Sequence, residues 1–218
     1  MLDILFNHYP VLLEGLATTL VVSLSAIALG LVLGVLLAFG LTSRYRLVRW
    51  PCGLYRSFWR GTPILLQLLL VYYLLPEIGI EIAPITAAIL TLTLNTAAFQ
   101  SEIFRSGISH IPAGQIEAAR MAGISAWQTR RRIIMTQVFR LTLPPLTNEI
   151  ITILKNSSLI SVIAVTELMR VSEQIASRTF QPLETYLAAA LLYLAVNLVL
   201  ARLSAYLEHR MTGGLATE

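Results

Sequence analysis

The stretch from Gln115 to Gln137, QIEAARMAGISAWQTRRRIIMTQ, is the longest run in the chain that is neither apolar enough to enter lipid nor disordered in composition. Pro112, just ahead of it, suits the first turn of a helix, and Gly123 suits the left-handed residue that ends one. Ser125 followed by Gln128 has the spacing of a capping box that opens a second helix. The stretch therefore predicts helix, turn, helix: a folded handle over about residues 110–137, with apolar runs on both sides.

Those runs make the bilayer the solvent of this chain. Of its 218 residues 56% are hydrophobic and only 13% charged, and the mean hydropathy is +0.72, values of a membrane domain rather than a soluble one. The net charge of +4 and pI near 9.5 do not point to nucleic acid. The cations cluster beside apolar runs, not along a groove interleaved with aromatic residues. Cys52 is the lone cysteine, which excludes an internal disulfide and a cysteine cluster for zinc or iron–sulfur. It reads as a small buried or interfacial side chain, and no metal or cofactor is expected. The N-terminal MLDILFNHYP has no Lys or Arg, and the apolar run behind it is as long as a spanning helix needs. A retained first span is expected, not a cleaved signal peptide.

That first span is Val11 to Leu41, interrupted by Glu14 and by small polar residues that a helix satisfies internally. Gly30, Gly34 and Ala38 recur along it every four residues, a stripe that favours close helix approach; packing within the chain is preferred to contact with another subunit. Arg44, Arg46, Arg49, Arg56 and Arg60 crowd the next connection, with Leu47, Trp50, Leu54 and Phe58 interleaved as in an interfacial helix. The second span opens at Gly61 and runs to about Leu75, Pro76 to Ala83 forms a short acidic turn, and the third span runs from Pro84 to about Phe104. The handle brings Arg105, Arg120, Arg130, Arg131, Arg132 and Arg140. A fourth span, about Leu143 to Val165, leads into the mixed-charge segment Thr166 to Glu184, where Leu168, Val171 and Ile175 have helical spacing. The fifth, about Thr185 to Tyr206, ends with Arg202 and Arg210. The two basic connections fall on one side if two spans separate them. The positive-inside rule then places the handle and the C-terminus inside and the N-terminus outside. With neither internal duplication nor a low-complexity linker, residues 1–218 read as a single all-α integral membrane domain of about five transmembrane helices.

Within the handle, Glu117, Ala118 and Ala119 are followed after three residues by Gly123 and after nine more by Ile133. This matches the EAA pattern of ABC-importer permeases, E-A-A-x3-G-x9-I-x-L-P, up to its last two positions, which here are Met135 and Thr136. RGTPILLQ from Arg60, LNTAAFQSEIFRSGI from Leu94 and LPPLTNEIITILKNSSL from Leu143 narrow the match. The chain resembles the polar-amino-acid permeases of type I ABC importers, the histidine, glutamine, arginine and cystine permease family, from about Thr18 to the last span. Without the proline, the second handle helix is expected to continue unbroken towards Arg140. The resemblance implies a multi-pass permease subunit of the bacterial inner membrane that imports a polar amino acid by alternating access. It implies a second permease chain, identical or paralogous, two cytoplasmic ABC ATPase subunits and an external or periplasmic solute-binding protein. It also implies that Glu117, Ala118, Ala119 and Gly123 form a coupling loop against a nucleotide-binding subunit, with the two alanines as a low-profile knob.

A phosphate-cradling G-x-x-x-x-G-K-[ST] loop is absent, so energy from ATP must arrive through a separate subunit. Neither H-E-x-x-H nor G-x-S-x-G occurs, and His8, His110 and His209 lie outside the apolar cores, which weighs against a membrane hydrolase. What chemistry there is sits on polar residues inside spans. Asn148, Glu149, Thr152, Lys155 and Asn156 fall at i, i+1, i+4, i+7 and i+8 and read as one helical face. Lys155, the only lysine, falls near mid-membrane on this count, where a charge facing lipid costs about 2.5–3.5 kcal/mol. Two readings stand: the face lines a translocation path, with Glu149 towards an amino or cationic group and Lys155 towards a carboxylate, or it is a buried network fixing subunit packing. Thr91, Asn95 and Glu102 repeat the arrangement more weakly in the third span, with Glu102 more simply paired to Arg105. On the fifth, Tyr186 suits an interfacial anchor, and Asn197 is deep enough to need a partner. Gln67 is a candidate for the path, with an interhelical hydrogen bond the preferred account. A self-powered secondary carrier or channel, with Glu149 and Lys155 as ion-coupling groups, is the alternative; the large handle and the lack of inverted repeats weigh against it.

Overall fold

The computed structural model describes residues 2–212. Its long helices are α1 (Leu2–Leu41), α2 (Arg46–Gly61), α3 (Ile64–Glu77) and α4 (Pro84–Ser109). The handle follows as α5 (Ala113–Met121), the short α6 (Ala126–Gln128) and a π-helical turn (Thr129–Ile134). Then come α7 (Met135–Asn156), a 3-10 segment (Ser157–Ile163), α8 (Leu168–Thr179) and α9 (Pro182–Thr212). The chain is an all-helical membrane protein, as the composition predicts.

Two segments, Asn7–Leu41 and Pro182–Arg210, are long and apolar enough to cross a membrane unaided. The central element is instead α4, with 26 residues or about 39 Å of helix, long enough to cross and buried along much of its length. That burial explains its polarity: Thr91, Asn95, Thr96, Gln100 and Ser101 turn to protein and not to lipid, and their hydroxyls and amide N–H groups find partners, while Gln100 Oε1 is shielded without one among the described residues. α1 lies along α4 through its small residues. A side chain on Gly30 would collide with the Thr96 methyl, and one on Gly34 would come within 2.9 Å of Gln100 Cβ. The Gly30–Gly34–Ala38 stripe thus packs within the chain. In lipid, where apolar burial gives no drive between helices, such close contact is what holds them together. Cys52 fills the equivalent gap over Gly40. One cluster of buried residues joins α1, α3, α4 and the 3-10 segment around Val22, Leu68, Leu92 and Ile160. Another joins α1, α8 and α9 around Leu12, Leu168, Val171 and Ala188.

One of the expected spans is too short to cross alone, and another is not a single α-helix. α3 has 14 residues, about 21 Å, short of a hydrocarbon core of about 30 Å, and it meets α2 at 111°. Pro63, extended at φ −62 and ψ 134, forces that elbow. The expected fourth span to Val165 ends as α-helix at Asn156. There Ser157 and Ser158 donate their hydroxyls to the carbonyls of Leu154 and Lys155, the chain tightens to 3-10 geometry, and Ala164 closes it at φ 63. α1 begins nine residues before the expected first span and includes Pro10. At the other end of the handle the continuity expected without the family's proline is present. From Ala126 the helix runs through the π turn and on past Arg140, with Pro144 and Pro145 inside α7.

Candidate functional site

The site begins at the elbow between α2 and α3. A helix end leaves carbonyls without partners, and here side chains supply them. Gln67 Nε2 donates to Trp59 O at 2.9 Å, Thr62 O at 3.0 Å and Thr62 Oγ1 at 2.7 Å. Asn95 Nδ2 donates to Gln67 Oε1 at 2.8 Å and to Trp59 O at 3.2 Å, which ties the elbow to the middle of α4. Gln67 is 1% exposed and lies outside the cavity lining. It makes the interhelical hydrogen bond of the blander reading.

Against this elbow opens a cavity of about 200 Å³. Trp59, Thr62 and Ile64 form its elbow wall, Asn95 and Phe99 its α4 wall, and Glu149, Thr152 and Asn156 its α7 wall. Arg60 stacks over the Phe99 ring, 5.2 Å from its centre. Glu149 is 9% exposed and accepts from Thr96 Oγ1 at 2.9 Å. A carboxylate, two carboxamides and aromatic rings in one small concavity are what recognition of a small polar cation or zwitterion needs: a charge, orienting hydrogen bonds and apolar walls.

The five polar residues of α7 do not share this cavity. Lys155 stands about 120° around the helix from Glu149 and lines a second cavity of about 330 Å³ with Ser158, Met169, Tyr186 and Tyr193. It lies beside the N-terminal part of α9. Asn148 is exposed and falls outside both linings. The predicted face is an arc wide enough to straddle two grooves. Asn197 is half-buried, and its Oδ1 is shielded without a hydrogen-bond partner among the described residues. Glu102 pairs with Arg105 at 2.6 Å as expected, and also with Arg56 at 3.0 Å, which pins α2 to α4 away from the cavity.

In the handle, Gly123 adopts φ 71 and its N–H bonds Arg120 O, while Ile124 N–H bonds Ala119 O, the paired bonds of a Schellman ending. Ser125 and Gln128 form the reciprocal capping box. Gln137 Nε2 donates to Gln115 Oε1 at 2.6 Å and joins the two ends of the handle. Glu117 and Ala118 face out, but Ala119 is 4% exposed. Neighbouring residues on a helix point about 100° apart, so Glu117 and Ala118 are exposed together and the alanine pair is not. Met121 and Trp127 are exposed as well.

Sequence reasoning passed over Thr96, Trp59, Thr62 and Phe99, whose roles depend on which helix lies across from them. It also placed Glu167 in a mixed-charge connection, whereas the structure buries it completely. It is the N-cap of α8, a position where glutamate is not among the favoured residues, so local pattern carries no signal of its burial.

Residues 30–213 match the family described as binding-protein-dependent transport system inner membrane component. Among individual proteins, the chain is 40% identical over 94% of its length, and 90% of the relative's, to a probable amino-acid ABC transporter permease protein, YckA, of Bacillus subtilis (strain 168). It is 37% identical to the glutamine transport system permease protein GlnP of Escherichia coli (strain K12), covering 93% of each. Among solved structures, a crystal structure of an amino acid ABC transporter with histidines superposes with a TM-score of 0.88 at 34% identity, over 94% of this chain and 96% of that one. An inward-facing MetNI methionine ABC transporter shares the fold, with a TM-score of 0.70 at 20% identity over 91% and 93%.

Proposed function

The chain belongs to the family of binding-protein-dependent transport system inner membrane components, and on that basis we propose that it is the permease subunit of an ABC importer for a polar amino acid. The observation that carries this reading is the cavity of Glu149, Asn95 and Asn156 set among membrane helices. A carboxylate there replaces the water lost by a substrate ammonium, and the amides replace the water of its other polar atoms. Asn95, Glu149, Thr152 and Asn156 line the path. Lys155, with Asn148 and Asn197 on neighbouring faces, supplies a separate polar surface for a carboxylate.

Five crossings account for the chain: α1, the α2–α3 pair, α4, α7 with its 3-10 extension, and α9. The handle and the C-terminus then lie on the cytoplasmic side of a bacterial inner membrane and the N-terminus outside, in keeping with the arginine-rich connections. The handle docks a separate ATPase through Glu117, Ala118 and the turn at Gly123. A second permease chain completes the path, and an external binding protein delivers the amino acid. The test is purification from native cells in mild detergent, with identification of the chains that copurify. An ABC ATPase and a permease chain are expected, with ATP hydrolysis confined to preparations containing the ATPase. A chain that purifies alone and drives uptake from an ion gradient would overturn the proposal.

A further inference from the structure

The cavity residues do not act alone, because the carboxylate among them is held from behind. Thr96 is 0% and Gln100 1% exposed, and neither lines the cavity. Gln100 Nε2 donates to Thr96 Oγ1 at 3.1 Å, and Thr96 Oγ1 donates to Glu149 Oε1 at 2.9 Å. A hydroxyl has one proton, so accepting from Gln100 leaves that proton aimed at Glu149.

Other helical threonines of this chain behave differently. Thr91, Thr152 and Thr179 each donate to the carbonyl four residues earlier, the usual local bond of a threonine in a helix. Thr96 donates instead to a residue 53 positions away on another helix. Its rotamer is fixed from the opposite side. The Thr96 methyl occupies the space over Gly30 of α1, space that a Cβ at Gly30 would fill. The glycine surface of α1 thus sets the direction of a hydroxyl that sets the direction of a carboxylate, and Oε2 of Glu149 is left for a ligand.

We propose that Thr96, oriented by Gln100 and seated on Gly30, is a positioning residue for substrate recognition, fixing the Glu149 carboxylate that receives the ammonium group of the transported amino acid. This rests on the reading of the Glu149 cavity as the substrate site. Thr96 touches no substrate and acts through Glu149 alone.

The test uses the assembled importer in lipid nanodiscs, with binding of each common L-amino acid in radiolabelled form and ATP-driven uptake in vesicles as readouts. Thr96→Val keeps the shape and removes the hydroxyl. It is expected to weaken binding of the retained amino acid about tenfold, the scale of one hydrogen bond to a charged group, and to raise half-saturation of uptake without lowering the maximal rate. Thr96→Ser, which restores the hydroxyl, is expected to stay within about twofold of the native protein. In a Glu149→Gln background, Thr96→Val is expected to add nothing, whereas a merely structural threonine would add its own loss. Native behaviour of Thr96→Val beside a defective Glu149→Gln overturns the inference and leaves the site standing. Native behaviour of Glu149→Gln itself overturns the site and the inference with it. Should Thr96→Val fail to assemble, Gln100→Leu, which removes the amide that orients the hydroxyl, is read by the same criteria.

Discussion

Glu149 and Glu167 are both buried carboxylates next to membrane helices, and they differ in how completely the protein satisfies them. Glu167, at 0% exposure, accepts from Met169 N–H at 2.9 Å, Arg170 N–H at 2.8 Å, Tyr193 OH at 2.9 Å and Thr19 Oγ1 at 3.3 Å. A carboxylate offers about four acceptor sites, so Glu167 is saturated. It caps α8 and binds that helix to α1 and α9. Glu149 accepts from Thr96 within the chain and otherwise faces a cavity. One carboxylate is complete as folded and belongs to the architecture; the other is left with open acceptor sites where a ligand can reach it.

The contrast breaks most visibly at Glu167. Replacing it with leucine removes the cap, strands two backbone N–H groups and takes the acceptor from the Tyr193 hydroxyl, while Thr19 keeps its bond to Gly15 O. A loss of roughly 3–5 kcal/mol of stability is expected from those terms together, read as earlier thermal unfolding of the detergent-solubilised protein. Native stability of Glu167→Leu would mean that the four bonds do not hold α8. Glu149→Gln should do the opposite. Thr96 still has an oxygen to donate to, so unfolding is expected to stay within about 1 kcal/mol of native. ATP-driven uptake is expected to fall at least tenfold, as losing a charge-assisted contact to substrate requires. A stable variant with full uptake would place Glu149 alongside Glu167 as structure.

The same pair shows what the sequence makes legible. α1, α9 and the handle follow from local pattern. Uninterrupted apolar length predicts the two long helices, and Gly123, Ser125 and Gln128 carry their own turn and cap chemistry. α4 was legible as a helix from Pro84 onward, although only its central place in the bundle explains its polar residues. The elbow was not legible, because Gln67 reaches back to Trp59 O and across to Asn95. Helical spacing placed Glu149 and Lys155 on one broad arc, but periodicity fixes angles on one helix and says nothing of the neighbour that divides the arc. Glu167 looked like a surface charge among arginines. Its burial depends on Thr19 and Tyr193, respectively 148 and 26 positions away.

A milder change sharpens the architectural side. Tyr193→Phe removes one of the four donors to Glu167 and leaves the ring in place. A loss of about 0.5–1.5 kcal/mol is expected, the net value of one hydrogen bond, with uptake unchanged. Tyr193 also borders the Lys155 cavity. A transport defect without a stability change would therefore move the tyrosine from the scaffold to the path.

The smallest effect is chemical labelling, and it separates the two sides by their access to water. Thr152 borders the Glu149 cavity and is exposed, its hydroxyl donated to Asn148 O at 2.8 Å within the same helix. A cysteine there gives up only a local bond. Ser172, on the Glu167 side, is 0% exposed with its hydroxyl on Leu168 O at 2.7 Å. With Cys52 changed to serine, Thr152→Cys is expected to react with a water-soluble thiol reagent in the assembled importer, while Ser172→Cys stays unlabelled. Substrate presented with its binding protein should change the rate at Thr152→Cys about two- to threefold, since a ligand in a cavity of about 200 Å³ excludes much of the water that carries the reagent. A second permease chain packed dry against α7 predicts otherwise: no labelling at position 152 in any nucleotide state, with assembly intact. In that case Glu149 would be satisfied across the interface, and its open acceptor sites would belong to the assembly and not to a transported amino acid.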